Sequence, residues 1–183
     1  FQDAYNKLGS ALGALGRYDG AIAQLRQGLA LGENAEIRHN LGFALHRQGR
    51  LDEAIREYEV ALRLDPNHAL ALVHLAAALH SRDRFVEAEG LLGRALRLDP
   101  ADAEARRLLA VTLVRQDRIE DAVRAYGELL RRDPGDLDAL NNVAWIRATH
   151  ADISYLLASV NRCFPFANLG PDDVISAWCG IRP

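Results

Sequence analysis

Four histidines are the first residues in this sequence with chemistry to offer. They are His39, His46, His74 and His80, and His46 and His80 stand 34 residues apart. A neutral imidazole ligates metal ions, and imidazole is the side chain that titrates nearest to neutral pH. The sharp reading is therefore a metal site or a pH-sensitive patch. If the two pairs belong to neighbouring helical units, those units lie roughly 10 Å apart, which is long for two ligands on one ion. We expect four solvated histidines and no metal site. Cys163 and Cys179 form no metal-ligand spacing, and no second cysteine pair accompanies them. They read as free thiols in a reducing compartment, so the expected location is cytoplasmic. No dinucleotide-binding glycine loop occurs. No catalytic residue and no cofactor is expected.

The composition narrows the classes further. Of 183 residues, 49% are hydrophobic and 26% charged, enough for a packed core and unlike a disordered chain. A net charge of -3 argues against a nucleic-acid surface, which needs cations. No apolar run is long enough to span a bilayer. Methionine is absent, at residue 1 included, so the expectation is a fragment, a processed product or a chain trimmed of a tag.

The elements that position these side chains come from a repeat. Pro66, Pro100 and Pro134 are each 34 residues apart. Leu41-Gly42, Leu75-Ala76, Leu109-Ala110 and Val143-Ala144 recur at the same step. So do Ala54, Ala88 and Ala122, then Tyr58, Leu92 and Tyr126. Leu8-Gly9, Ala21, Leu25 and Gly28 extend the series backwards with one residue missing near Gly32-Glu33. The repeats read as 2–34, 35–68, 69–102 and 103–136, with a fifth beginning at Leu137. Within one unit, apolar residues at helical spacing predict helices over 36–48 and 52–64, broken at Gln48-Gly49-Arg50-Leu51. Asp52 is the expected N-cap of the second helix, and Pro66 the expected start of the next. Gly42 and Ala54 allow close approach, with Tyr58 filling the space beside them. No hairpin of this kind buries its apolar faces alone, so serial stacking into one continuous core is expected.

This 34-residue pattern resembles the tetratricopeptide repeat family over residues 1–150. The resemblance implies an all-α fold, a right-handed superhelical solenoid whose first helices line a concave groove. It places Asp3, Asn6, Ser10 and Gly13 of the first repeat on that groove. From the second come Glu36, His39, Asn40, Phe43, His46 and Arg47, and from the third Leu70, Val73, His74, Ala77 and His80. The fourth supplies Glu104, Arg107, Leu108, Val111, Val114 and Arg115, and the fifth Asp138, Asn141, Asn142 and Trp145. One family subtype grips C-terminal carboxylates of chaperone tails. Asn40 matches it, but Leu70 and His74 stand where cations are needed. Another subtype carries an asparagine ladder. Asn40 and Asn142 match it, and Lys7, His74 and Leu108 interrupt it. What remains is an apolar strip of Phe43, Val73, Ala77, Val111, Val114 and Trp145 with cationic points at Arg47, Arg107 and Arg115. The alternative for the valines is that they pack against neighbouring helices. Such a groove implies a protein or peptide partner bound by a scaffold or adaptor, with no nucleic acid and no membrane. A structural role through self-association of exposed solenoid ends is a second possibility.

After His150 the pattern fails. Residues Ile153 to Leu157, Val160-Asn161, Phe164-Pro165, Asp173-Val174 to Trp178 and Gly180-Ile181-Arg182-Pro183 resemble a stretch of the flavin-dependent glycerol-3-phosphate dehydrogenases. In that family the final arginine lies at the substrate site, the place of Arg182. About thirty residues match, so an enzyme fragment inert alone is the rival function. Two readings of 151–183 stand: a fusion with its junction near residues 149–153, which we favour, and a divergent capping segment. Ile153, Leu156, Leu157, Val160 and Phe164 predict a capping helix over 154–163, followed by an irregular tail.

Overall fold

Residues 1–146 are those described by the computed structural model. Eight complete helices follow one another: α1 (Gln2–Ala14), α2 (Tyr18–Leu29), α3 (Ala35–Arg47), α4 (Leu51–Leu64), α5 (Ala69–His80), α6 (Phe85–Leu98), α7 (Ala103–Arg115) and α8 (Ile119–Arg132). Residues 137–146 are again helical, and no strand occurs among the described residues. The chain divides into two compact units, Phe1–Ala125 and Tyr126–Pro183. The capping helix and tail expected beyond residue 150 lie outside the described residues.

The odd-numbered helices start in one way. Asn34 Oδ1 accepts from the Ile37 amide at 3.1 Å, His68 Nδ1 from Ala71 at 3.3 Å, and Asp102 Oδ1 from Ala105 at 2.9 Å. Asp136 Oδ1 accepts from Ala139 at 2.9 Å. These caps recur every 34 residues, and each satisfies an amide that the first turn leaves unpaired. Pro66 is therefore not the first residue of a helix. It sits in a turn closed by Asp65, whose carboxylate accepts from the Asn67 amide at 3.0 Å. Asp99 and Asp133 build the same turn around Pro100 and Pro134.

The even-numbered helices start differently. Asp52 does not cap α4, because the helix begins one residue earlier, at Leu51, and the N-cap is Arg50, whose side chain accepts no hydrogen bond. Arg50 instead donates a two-pronged guanidinium pair to Glu53 at 2.7 and 2.8 Å. Arg84 and Glu87 repeat the fork, and Arg118 donates to Asp121. Asp52 is freed to pair with Arg82 at 2.6 Å. Before each arginine of the first unit the chain passes through the left-handed region: Gly16, Gly49, Asp83 and Asp117 have φ of 73°, 77°, 58° and 59°. Glycine enters that region freely, and aspartate at modest cost.

Packing follows the expected small-residue logic. A Cβ on Gly42 would stand 2.7 Å from Tyr58 Cε1, so the bare backbone of α3 is what admits the ring. Tyr58, Ala54, Ala88 and Leu92 are fully buried. Burial of one Leu-sized side chain is worth roughly 1.5–3 kcal/mol, and each hairpin supplies several. In the first unit each helix from α1 to α7 packs on the next, and α1, α3, α5 and α7 also touch one another in sequence. The odd helices thus form the tighter, inner layer of the stack.

Candidate peptide-binding groove

The inner layer brings the expected groove residues together, but not all at its surface. His39 and Val73 are 4% and 2% exposed and belong to the core. Both face the neighbouring helix instead of solvent, so neither is available to a ligand. Phe43, Ala77, His46, His74, His80, Asn40 and Arg107 are partly buried. Val111 is 36% and Leu70 53% exposed, making Leu70 the most open apolar side chain on α5. Asn40 Nδ2 donates to Asn6 Oδ1 at 2.8 Å, joining two polar positions across adjacent repeats.

The histidines form a packed cluster, not four solvated rings. His39 Nε2 and His74 Nδ1 are 2.8 Å apart, and their rings stack 5.0 Å apart with planes 7° from parallel. His68 lies 4.8 Å from the His39 ring, and Phe43 lies 5.3 Å from that of His74. His39 Nδ1 and the Tyr58 hydroxyl are buried without a hydrogen-bond partner. An orphaned donor is rarer than an orphaned lone pair, so the favoured tautomer of His39 donates from Nε2 to His74 Nδ1. His68 Nδ1 serves as the α5 cap, and its Nε2 stands 3.3 Å from a Glu36 carboxylate oxygen.

Desolvation governs the protonation of this cluster. Burial, then the neighbouring His74 and His68, depresses His39 to about 3. Burial, then His46 and His68, depresses His74 to about 4. His46 is lowered by burial and by Arg47, and His80 by burial and by Arg115. His80 Nδ1 donates to Thr112 Oγ1 at 3.0 Å, since the threonine hydroxyl already donates to the Leu108 carbonyl. Among the described residues no group of three or more histidine, cysteine, aspartate and glutamate side chains is arranged to hold a metal ion.

Two of the expected cationic points are committed to neighbours. Arg47 Nε donates to the Tyr18 hydroxyl at 3.1 Å, with its guanidinium 6.0 Å from the ring centroid. Arg115 donates to Asp83 at 2.8 Å and lies 4.7 Å over Phe85. Each arginine ties the end of a first helix to the aromatic residue opening a second helix of the preceding repeat. Sequence reading missed Tyr18 and Phe85 as partners, and missed His68 as a member of the cluster. The phase of His68 with Asn34, Asp102 and Asp136 is the signal that marks it as a cap. In the second unit, Trp145 is 60% exposed, Asn141 is exposed and Asn142 is partly buried.

Comparisons with known proteins agree with this architecture. A structure of MamA from Desulfovibrio magneticus RS-1 superposes with a TM-score of 0.76 at 21% identity, covering 82% of this chain and 86% of that one. PilF of Pseudomonas aeruginosa gives 0.75 at 21% identity, covering 84% and 70%. The first tetratricopeptide domain of Spaghetti (RPAP3), solved with the HSP90 peptide SRMEEVD, gives 0.61 at 24% identity over 64% and 93%. These likenesses show the fold. Curated alpha-glycerophosphate oxidase of Streptococcus pyogenes is 49% identical over 37 residues, which are 20% of this chain and 6% of that protein. The chain thus spans a small fraction of the curated relatives it matches. Tetratricopeptide repeat families match residues 6–69, 45–112 and 79–146, and on that coverage, with the hairpin geometry above, the chain belongs to the tetratricopeptide repeat family.

Proposed function

We propose that this chain is a scaffold that holds a polypeptide along the inner layer of its first unit. The observation that supports the reading most is the pair of open apolar side chains, Leu70 and Val111, on a layer whose other apolar residues are largely buried. Phe43 and Ala77 extend the apolar surface, with Glu36 and Glu104 exposed beside it. An extended or helical segment with apolar anchors fits such a strip. The peptide-bound Spaghetti domain is a fold neighbour. Recognition of a terminal carboxylate in the manner of the chaperone-binding subtype is disfavoured here. Leu70 is uncharged and His74 is held neutral by burial, so two of the needed cations are missing. The oxidase-like match amounts to 6% of that enzyme, too little to bring a flavin-binding fold, and we assign no catalysis to it. No helix among the described residues is long and apolar enough to cross a membrane.

A partner isolated by pull-down with the full chain provides the test. Leu70→Asp and Val111→Asp are each expected to weaken its binding roughly 10–100-fold, the loss of one buried apolar anchor. Arg63→Glu, on the outer helix α4, is expected to leave affinity unchanged. The reverse pattern, with only the α4 substitution mattering, places the partner on the outer face and defeats the proposal.

A further inference from the structure

Helix α1 has a face that no other element of the described chain covers. Ala4, Leu8, Ala11 and Leu15 are spaced by four, three and four residues, which sets them on one stripe. All four are exposed, Leu8 at 48% and Leu15 at 73%. Residues at the same places in later repeats are interior. Ile37, Leu41 and Ala44 of α3, and Ala71, Leu75 and Ala78 of α5, are each 5% exposed or less. These are positions that the fold uses for helix–helix contact, and in α1 they lack a neighbour.

The stripe alternates small and large, and that order is self-complementary. In two antiparallel α1 helices related by a two-fold axis, Ala4 stands opposite Leu15 of the second copy, and Leu8 opposite its Ala11. Each leucine then enters the space left by an alanine. A parallel pairing sets leucine on leucine and alanine on alanine, which packs badly. Charge favours the same arrangement. Asp3 lies in the first turn of α1 and Arg17 just past its end, both exposed. Antiparallel pairing brings the carboxylate of one copy towards the guanidinium of the other. It also opposes the two helix dipoles.

We propose that α1 is the interface of a two-fold symmetric dimer of this chain, the second copy packing its own α1 antiparallel in the Ala4–Leu15 and Leu8–Ala11 register. The contact is isologous, so it closes at two copies instead of propagating. One helix pair buries less than the roughly 1,200 Å² of stable complexes, so the dimer forms by mass action at high concentration.

Sedimentation equilibrium of the full chain over a range of concentrations tests this. A monomer–dimer equilibrium is expected. Leu8→Ala leaves alanine opposite alanine, and Ala11→Leu sets leucine against leucine. Each is expected to weaken association about tenfold. Leu8→Ala combined with Ala11→Leu restores a large–small pair and is expected to return association to within about threefold of the original, a coupling typical of contacting residues. All four positions are exposed in the monomer, so circular dichroism is expected to be unchanged. Leu15→Asp, beyond the helix, provides a second disrupting variant with no helix to break. A chain that stays monomeric at every concentration overturns the proposal. So does tighter association by Ala11→Leu alone, the sign of unspecific apolar adhesion, or persistence of the dimer in Leu15→Asp.

Discussion

At the scale of single residues, two buried side-chain arrangements set how the fold responds to pH and to added volume. His39 and His74 are depressed by burial to about 3 and about 4, against an ordinary value near 6.5 in the unfolded chain. A base whose folded value lies below its unfolded one binds protons better when unfolded. Their contribution is therefore fully present above about pH 6.5 and is lost as pH falls through the window down to about 3–4. Stability is expected to drop with a slope approaching about 1.4 kcal/mol per pH unit for each histidine. Urea denaturation at pH 7, 6, 5 and 4 measures it. His74→Gln should flatten the slope, and an unchanged slope in that variant would show that the cluster is not its source. At Gly42 the argument is steric. A methyl group there meets Tyr58 Cε1 at 2.7 Å, so Gly42→Ala is expected to cost about 1–3 kcal/mol despite the better helix propensity of alanine. Denaturant midpoints of Gly42→Ala and of Gly90→Ala, which meets nothing within 4 Å, separate the two effects. The Gly42–Tyr58 fit was legible in the sequence because both residues hold fixed phases in the repeat. The burial of His39 was not. Whether that inner-layer position faces the groove or the adjacent repeat depends on a few degrees of helix rotation, which depend on neighbours such as His68 and His74.

At the scale of elements, helix starts carry the period as firmly as the apolar residues do. Asn34, His68, Asp102 and Asp136 each accept from an amide three residues on, and Arg50, Arg84 and Arg118 each reach a carboxylate three residues on. Asp102→Ala removes one such acceptor and is expected to cost about 1 kcal/mol, within the usual 0.5–2 kcal/mol for a cap. Asp102→Asn keeps an acceptor oxygen and should recover most of the loss in the same denaturation assay. Equal losses in the two variants would assign the effect to charge at the helix end. Asp117 tests the turns. It holds φ of 59° where Gly16 and Gly49 are at home, so Asp117→Gly is expected to stabilise by up to about 1 kcal/mol, read as a higher denaturant midpoint. The helices over 36–48 and 52–64 were readable to within one residue because apolar spacing reports helices well. The caps were misread at Asp52 and Pro66 for a physical reason. An acidic residue in a first turn is favoured by the helix dipole whether it caps or not, and a proline two residues before a cap looks like a proline one residue after it.

At the scale of the whole molecule, a repeat stack distributes its stability through nearest-neighbour contacts, so its parts need not open together. The burial pattern of the first unit says where opening starts. Helix α5 buries Ala71, Leu72, Val73, Leu75, Ala76, Ala78 and Leu79, and α3 buries Ile37, His39, Leu41, Gly42, Ala44 and Leu45. Helix α1 buries only Gly9 and Gly13, neither of which carries a side chain. Each central helix also has neighbours on both sides, whereas α1 touches α2 and α3 alone. Opening α1 breaks one interface; opening α5 breaks contacts to α3, α4, α6 and α7. Native-state hydrogen exchange is therefore expected to show the slowest amides in α3 and α5 and the fastest helical amides of the first unit in α1. The protection of α1 should also rise with protein concentration if its open face is used between copies, while that of α5 stays constant. Uniform protection across α1 to α7 would mean that the unit opens as one block, and that the local burial differences do not govern its dynamics.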